Sequence, residues 1–447
     1  MHTGKCAVIV GASIAGLSAA QALVGQFERI VIIERDEFPV QAEARAGVPQ
    51  GLHAHSLLPG GLTALNALFG DFDTLLREGG AKVTDWGQLK YEFPGQPALP
   101  LRNFNMPFFM CSRPFVEHVI RRRVESQRGV VILAGRRVKE FIAAPNGDSV
   151  VGVKCVTRDG ADEVHEAALV IDASGRGELT LDFLRATGRP MPDESTVGID
   201  YHAFSVIVEA PERFRREAVP LLTMPDRKHG SRLGCLLARE DDYIFAYLGV
   251  RGEAVLPDDW PGFVDLAGKL STGTMHAVLR HATPRGRVRH YLFPESRRRH
   301  FERIENWPRG LIPFGDVICR VNPVYAQGMT TAFKEAVILR DLLDSRRYFS
   351  QPIDGLAQAL LSAAGPLLDN VWTLSAVPDL AHPGTRGERT DDLAEILAYS
   401  DAVHRAAFVD TGVHELLFRV LGLVEPAAKL YSSDIVARVR DVAAQAM

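Results

Sequence analysis

A glycine-rich turn near the start of the chain has the residue types needed to bind a dinucleotide phosphate. The stretch VIVGASIAG places Gly11 and Gly16 around Ser13, which stands where a glycine is more common. Gly11 allows the tight turn, Gly16 allows a helix to pack closely on the strand, and N–H groups at the helix N-terminus attract phosphate. Glu34 follows about twenty residues later, where a carboxylate accepts hydrogen bonds from a ribose. A generic strand-to-helix turn is the alternative explanation.

Two later segments also end an apolar strand with residues suited to cofactor binding. LVIDASGRG carries Asp172 and Gly175, and GLIPFGD ends at Gly315–Asp316, shortly before Gly328 opens a helix. Asp316 is placed to bond a cofactor hydroxyl, and the N–H groups at Gly328 and Met329 are placed to stabilise negative charge. Ordinary turn chemistry explains each segment taken singly. Their order along the chain is what favours a single binding site.

Two histidines, His53 and His55, lie in the stretch AGVPQGLHAHSLL. In an extended loop, residues two apart point to the same side. A metal site needs further ligands, and the sequence has neither an HExxH motif nor clustered acidic partners, so no metal is predicted. Two interpretations remain: contact with a bound cofactor, or a structural hydrogen-bonding role.

The elements that must position these residues follow from the hydrophobic pattern. Residues 5–34 predict a strand, helix and strand, and Ser112 caps a helix that carries Pro114 in its first turn. Alternation over 138–171 predicts an antiparallel meander. The last hundred residues or so show helical periodicity, interrupted by prolines that include Pro378.

Composition narrows the class of protein. A chain of 447 residues is too long for one compact core, and a net charge of −4 argues against nucleic acid as the main partner. The five cysteines form no CxxC pair, which favours a reducing compartment. The sequence shows neither a signal-peptide pattern nor an apolar run long enough to span a membrane, so we expect a soluble cytoplasmic protein.

Taken in order, these motifs resemble the FAD-dependent monooxygenases of the para-hydroxybenzoate hydroxylase type over most of residues 5–345. GVPQGLHAHSLL, SRRRHFERIENWPRGLIPFGD and NPVYAQGM are more closely similar to a bacterial natural-product branch that includes olefin epoxidases of polyether pathways. The resemblance implies an α/β fold with a Rossmann-like FAD-binding domain, an antiparallel β-sheet substrate domain and a C-terminal helical region. The implied ranges are 1–75, 105–190 and 288–345 for FAD, 76–104 and 191–287 for substrate, and 346–447 for a helical cap.

The resemblance also implies residue roles. The glycine-rich turn between the first strand and the first helix would hold the FAD pyrophosphate. The end of the second strand would hold the adenosine, and the NPVYAQGM loop would border the isoalloxazine ring. The implied cofactor-binding residues are Gly11, Ser13, Ile14, Ala15, Gly16, Glu34, Arg35, Arg45, His53, Arg113, Asp172, Gly175, Gly315, Asp316, Pro323, Gly328 and Met329.

Substrate and catalytic residues are less sharply indicated. Phe104, Met106 and Phe108 in RNFNMPFFM are suited to an apolar pocket, and core packing explains them equally well. Tyr325 lies between Pro323 and Gly328 and is a candidate to face the substrate, with packing in an ordered turn as the alternative. Tyr325 and His53 are the two candidate catalytic residues.

The implied reaction inserts one oxygen atom of O2 into a hydrophobic polyketide or aromatic intermediate, by epoxidation or hydroxylation. A reduced nicotinamide, NADPH or NADH, would reduce the FAD, and O2 would add to give a flavin C4a-hydroperoxide. Alternatives are a two-component oxygenase fed by a separate flavin reductase, a prenyl-chain reductase, a halogenase and a non-catalytic flavin-binding protein. The halogenase signature W-x-W-x-I-P is not found around Trp260, where the sequence is DDWPGF.

Overall fold

The computed structural model describes residues 3–225, 231–253 and 256–445. The remaining residues of the predicted domain ranges, 1–2, 226–230, 254–255 and 446–447, lie outside this description. The strands are β1 (Gly4–Val10), β2 (Phe27–Ile33), β3 (Lys82–Asp85), β4 (Lys90–Glu92), β5 (Pro107–Met110), β6 (Val130–Leu133), β7 (Arg136–Ala143), β8 (Val150–Thr157), β9 (Asp162–Glu166), β10 (Leu169–Asp172), β11 (Glu194–Glu209), β12 (Leu221–Thr223), β13 (Leu233–Ala238), β14 (Ile244–Val250), β15 (Thr283–Pro284), β16 (Arg289–Arg299), β17 (Leu311–Pro313) and β18 (Cys319–Arg320). The α-helices are α1 (Ile14–Leu23), α2 (Pro59–Phe69), α3 (Phe72–Glu78), α4 (Arg113–Glu125), α5 (Glu178–Ala186), α6 (Glu212–Ala218), α7 (Trp260–Ala267), α8 (Thr274–Leu279), α9 (Gln327–Ser345), α10 (Leu356–Leu380), α11 (Leu393–Val409), α12 (Thr411–Leu421) and α13 (Ser433–Gln445).

A five-stranded parallel sheet with the order β17-β10-β1-β2-β6 forms the first unit. Its strands are short apolar runs, as expected for strands buried on both faces. The register pairs Val10 with Ile33 and Asp172, and Asp172 with Pro313. The residues that follow each strand therefore meet at one edge of the sheet, and the predicted α/β fold class is confirmed.

The second sheet is mainly antiparallel, with the order β18-β16-β11-β14-β13-β12-β4. One of its faces carries Tyr201, Ala203, Tyr247 and Phe293, which form a buried cluster with Ala376 of α10. β17 belongs to the parallel sheet and β18 to this one, and only a short segment separates them. That segment therefore lies where the two sheets meet.

The three-stranded sheet β7-β8-β9 is the antiparallel meander expected over 138–171. Its last strand leads directly into β10, so the meander returns the chain to the parallel sheet beside β1. The stretch FVDLAGKLSTGTMHAVLRHA, although helix-like in its pattern, forms two helices, α7 and α8. Gly268 and Gly273 flank the break, where serine, threonine and glycine disfavour a continuous helix.

The C-terminal residues form α10 to α13. Pro378 does not interrupt the first of these helices, because α10 continues to Leu380 with Pro366 and Pro378 inside it. Proline removes one helical hydrogen bond, and a long helix packed on its neighbours tolerates that loss. Within the described ranges, no helix combines the length and apolar character needed to cross a membrane.

Phe418 of α12 joins these helices to the rest of the protein. Its ring is 1% exposed and lies 5.8 Å from Trp86, 6.1 Å from Tyr91 and 5.9 Å from Phe104, measured between ring centroids. The indole Nε1 of Trp86 donates a hydrogen bond of 3.1 Å to the Phe418 carbonyl. The C-terminal helices are thus part of the main core.

We predict that Phe418→Ala lowers the free energy of unfolding by about 3–5 kcal/mol, because it leaves a cavity in this aromatic cluster. Urea denaturation followed by circular dichroism measures the change. Phe349→Ala, at a side chain that is 56% exposed, is the control and should change stability by less than about 0.5 kcal/mol. Equal changes in the free energy of unfolding for the two substitutions would contradict the conclusion that the C-terminal helices are part of the main core.

Candidate functional site

The turn between β1 and α1 requires glycine at two positions. Gly11 has φ of +97°, and a Cβ there would lie 2.7 Å from the carbonyl oxygen of Ala173. A Cβ on Gly16 would lie 1.8 Å from the carbonyl oxygen of Gly11. Ser13 precedes α1 without a side-chain capping bond, and the first turn carries no acidic residue. The first N–H groups of α1, which includes Ile14 and Ala15, therefore stay open to an anionic ligand.

Glu34 lies at the same edge and is held from three directions. Its carboxylate accepts the N–H of Ala12 at 2.8 Å and that of Asp36 at 3.0 Å, and Arg45 lies 3.2 Å away. Arg45 also contacts Asp36 and Glu117, each at 2.9 Å. Burial opposes the charge on Arg45, but Glu117 and Glu34 outweigh it and raise the pKa of the guanidinium. This network fixes the orientation of Glu34.

The predicted adenosine end has open space beside Glu34. Arg35 is exposed, and its Nη2 lies 3.4 Å from the carbonyl oxygen of Gly47. A cavity of about 640 Å³ lies here, lined by Arg35, Asp36, Gly47, Gly135 and Arg137 among others. The space is sufficient for a nucleoside.

Asp316 lies in the segment between β17 and β18 and is exposed, although the residues around it are buried. Desolvation by the surrounding protein raises the pKa of its carboxyl, against the opposing effects of Arg320 and Arg113. A Cβ on Gly328 would lie 4.0 Å from Oδ1 of Asp316. Gly328 is also exposed between buried neighbours, and Pro323 is exposed between buried Asn322 and half-buried Val324. Asp316 and Gly328 therefore lie side by side in a cleft walled by protein, and a place for Pro323 beside the cofactor stays a prediction.

Arg113 and Met329 lie close to this cleft. Arg113 is the first residue of α4 and is buried, with Nη1 3.0 Å from Glu117. Its charge acts on both Asp316 and His55. Met329 is in the first turn of α9, a helix that begins after Ala326 without a side-chain cap.

Glu335 of α9 bonds the turn at Gly315. Sequence analysis did not identify this residue. Its Oε2 accepts the N–H of Gly315 at 2.8 Å, and its Oε1 has no hydrogen-bond partner among the residues that the structure describes. Burial raises the pKa of Glu335 to about 8, with Asp316 adding to the shift and the Gly315 bond opposing it. The sequence signal was a glutamate within the apolar run AFKEAVIL.

Asp172 stabilises the turn that follows β10. Its carboxylate accepts the N–H of Ser174 at 3.0 Å and both the N–H and hydroxyl of Thr180, at 3.2 and 2.6 Å. Asp172 is fully buried, and Gly175 in the turn has φ of +82° with open space around it. A direct contact of the Asp172 carboxylate with a cofactor stays a prediction, since its oxygens bind the turn.

His53 connects the loop after β2 to the second sheet, and His55 bonds the backbone of the same loop. Nδ1 of His53 lies 3.0 Å from the Ser205 hydroxyl, and its ring is 5.8 Å from that of Tyr291. Nδ1 of His55 lies 2.9 Å from the carbonyl oxygen of His53. Burial, with His290 and Arg289, lowers the pKa of His53 to about 4, and burial with Arg113 lowers that of His55 to about 3. Both rings are therefore neutral near pH 7.

The structure places the predicted pocket residues in the core beneath α12. Phe104 lies against His414 and Phe418, with centroids 5.0 and 5.9 Å apart, and Phe108 lies 4.5 Å from Trp86. Met106 is also buried there. Core packing accounts for these contacts, and a substrate role for the three residues remains a prediction.

A separate apolar cluster covers one face of the second sheet and reaches the loop after β18 through Val324. The cluster on the second sheet, built from Tyr201 and its neighbours, has partly buried members on three elements, namely Tyr291, Val324 and Trp372. The alternating pattern of TVGIDYHAFSVIV in β11 was the sequence signal for this face. Tyr325 lies beside Val324, but its hydroxyl donates a 2.9 Å hydrogen bond to Asp379.

Comparison with known proteins identifies one curated relative and a common fold. No protein-family model matches the chain. Protein Rv3254 of Mycobacterium tuberculosis is 32% identical over 389 residues, 84% of this chain and 80% of that protein. PqsL of Pseudomonas aeruginosa, solved with 2-aminobenzoylacetate, has a TM-score of 0.65 at 16% identity over 85% of this chain and 97% of its own. The flavin-dependent brominase Bmp2 has a TM-score of 0.68 at 13% identity over 99% and 98%.

We predict that Glu335→Gln removes a pH dependence of stability. The folded-state pKa of about 8 lies above the ordinary value of 4.5, so protonation favours the folded protein. The stabilisation from the protonated Glu335 carboxyl is fully present when the pH is below the ordinary pKa. It is lost as the pH rises through the folded-state pKa, by up to about 1.4 kcal/mol per pH unit.

Unfolding free energies of wild type and Glu335→Gln between pH 5 and pH 9 measure this effect. The variant should be the more stable of the two at about pH 9, because its neutral amide still accepts the Gly315 N–H. Glu178→Gln, at an exposed glutamate, is the control. Parallel pH profiles for wild type and Glu335→Gln would contradict a raised pKa.

Proposed function

Because the chain belongs to the family of Protein Rv3254 of Mycobacterium tuberculosis and has the fold of the FAD-dependent monooxygenases, we propose that it is an FAD-dependent monooxygenase. One observation carries the proposal. The ends of β1, β2, β10 and β17 meet at one sheet edge, where the exposed residue Asp316 follows β17 and Gly328 lies beside it. Ligands bind at such edges in open α/β sheets.

The residues along this sheet edge extend far enough to hold FAD, and their chemical groups suit its successive parts. The N-terminus of α1, where neither Gly11 nor Gly16 has room for a Cβ, would hold the pyrophosphate. Glu34 and Arg35 would hold the adenosine, beside the cavity that Arg35 lines. The ribityl chain would lie near the charged residues Arg45, Arg113 and Asp316, and the ring near Pro323, Gly328 and Met329.

Bound FAD would supply the electron transfer and O2 activation, which protein side chains cannot perform alone. The protein would supply orientation and electrostatics. The N–H groups at the start of α9 favour negative charge near Gly328 and Met329. The apolar face around Tyr201 and Tyr247 would exclude water and bind the hydrophobic part of a substrate.

We further propose that the substrate is a hydrophobic natural-product intermediate, polyketide or aromatic, and that it is epoxidised or hydroxylated. The partly buried aromatic and aliphatic side chains of the cluster on the second sheet, including Tyr291, Val324 and Trp372, support a hydrophobic substrate. The electron donor would be NADPH or NADH, with a separate flavin reductase as the alternative source. The cysteines are all free, in keeping with a reducing cytoplasm.

A flavin-dependent halogenase is the second candidate, because Bmp2 has the same fold. The DDWPGF sequence around Trp260 in place of W-x-W-x-I-P speaks against it. A prenyl-chain reductase would consume no O2. Oxygen uptake with NADPH or NADH, with and without a flavin reductase and with and without bromide, distinguishes these functions.

We predict that the purified protein binds FAD and that Gly11→Ala weakens binding at least about tenfold, a loss of about 1.4 kcal/mol. The added Cβ would meet the Ala173 carbonyl and force that turn to move. Quenching of flavin fluorescence measures the dissociation constant. Gly273→Ala, where φ is −89° and a Cβ meets nothing within 4 Å, is the matched control. A wild-type protein that shows no flavin binding would refute the proposed function.

We predict that His53→Ala impairs FAD binding or slows flavin reduction and reoxidation by at least about tenfold. The substitution removes the contact with Ser205, which ties the loop to the substrate sheet. Because the pKa of His53 is about 4, this residue keeps one protonation state between pH 6 and 8, and its titration should not change the wild-type rates in that range. Stopped-flow absorbance measures both rates, with His281→Ala, at an exposed histidine, as the control. Unchanged affinity and rates would leave His53 a structural residue.

A further inference from the structure

A fully buried carboxylate, that of Asp379, lies near the end of α10 and binds the loop predicted to border the flavin ring. Its oxygens accept the Tyr325 hydroxyl at 2.9 Å and the Asn322 side-chain amide at 3.1 and 3.2 Å. The guanidinium of Arg251, at the end of the second sheet, also contacts it. Asp379 therefore joins three separate parts of the protein.

Further bonds hold the first residues of this loop. The backbone N–H of Asn322 donates to the Ser296 hydroxyl at 3.0 Å, and its side-chain oxygen accepts the N–H of Val324 at 3.2 Å. Ala326 then has φ of +54°, a left-handed conformation that a side chain adopts only under constraint. The direction in which α9 begins depends on this turn.

Burying a carboxylate is unfavourable unless donors surround it. Burial raises the pKa of Asp379, while Arg251, Tyr325 and Asn322 oppose the rise. The Asp379 backbone carbonyl takes part as well, because it accepts the Thr385 hydroxyl at 2.7 Å. So many donors on one carboxylate indicate a specific anchoring role.

The same face of α10 also packs on the apolar cluster of the second sheet. Trp372 and Ala376 precede Asp379 by about two turns and one turn of helix. Both belong to the cluster that contains Val324 and Tyr291. The C-terminal helices thus contact both the loop and the surface proposed to bind substrate.

We propose that Asp379 is a positioning residue that fixes the loop Asn322–Met329 against the flavin, and so couples the C-terminal helices to the cofactor. The proposal rests on the proposed function, because it assumes that the loop borders bound FAD. Asp379 acts through Asn322 and Tyr325 and touches neither cofactor nor substrate. Its removal should alter the flavin environment while leaving the α1 phosphate site intact.

The test uses Asp379→Asn in the full-length protein, with Ser375→Ala as the matched control. Ser375 is also buried on α10, and its hydroxyl bonds only carbonyls of its own helix, those of Val371 and Trp372. Three quantities are measured: the FAD dissociation constant, the visible spectrum of the bound flavin, and its midpoint potential.

For Asp379→Asn we expect about tenfold weaker FAD binding, an altered flavin spectrum and a lower midpoint potential. The potential falls because a displaced α9 N-terminus stabilises the reduced, anionic flavin less. For Ser375→Ala the affinity should stay within about twofold of wild type, with an unchanged spectrum and potential.

A second variant keeps the proposal testable if Asp379→Asn does not fold. Tyr325→Phe removes one donor to Asp379 at nearly constant volume and should shift the spectrum and potential in the same direction, by less. If wild type binds FAD and both variants match it in affinity, spectrum and potential, the positioning role is wrong and the proposed function stands. If wild type binds no FAD, the proposed function itself fails.

Discussion

The parallel pairing of β1 with β2 and β10 is the constraint on which the rest of the site depends. Because these strands run in one direction, the residues after each of them come to the same edge. Gly11, Glu34 and the turn after Asp172 become neighbours only through this register. A slip of one residue would reverse which side chains face the helices and would separate these groups.

Buried carboxylates hold this edge and the adjoining loop in shape. Glu34, Asp172, Glu335 and Asp379 each accept hydrogen bonds from backbone or side-chain donors of a neighbouring turn. Each would be unfavourable without those donors, since an unpaired buried charge or polar group is costly. The pattern suits a site that must keep a large ligand in one geometry, because every supporting turn is tied to a separate element.

Sequence analysis predicted the strand-helix-strand unit over residues 5–34 and the meander because both depend on local periodicity, whereas the fold class was what the family resemblance implied. It predicted the glycine turn for the same reason, since Gly16 packs on Gly11 within one strand-turn-helix unit. The close approach of Gly11 to Ala173, after β10, is a contact that only the tertiary structure shows. Sequence analysis was wrong about the helix break at Pro378 because packing overrides the local preference of proline. Sequence analysis left open whether Phe104 and Phe108 line a pocket or pack in the core. Their partners, Phe418 and Trp86 respectively, lie outside the local stretch around each residue, so no local pattern could decide.

The sequence by itself determined which residue types are available for cofactor binding and in what order they occur. Only the tertiary structure decided how they are used: it tied Tyr325 to Asp379 and His53 to Ser205, and it placed Trp372 beside Val324. These pairings join segments about fifty or more residues apart. No local pattern specifies them, because side-chain donors and acceptors choose partners by distance in space and by burial.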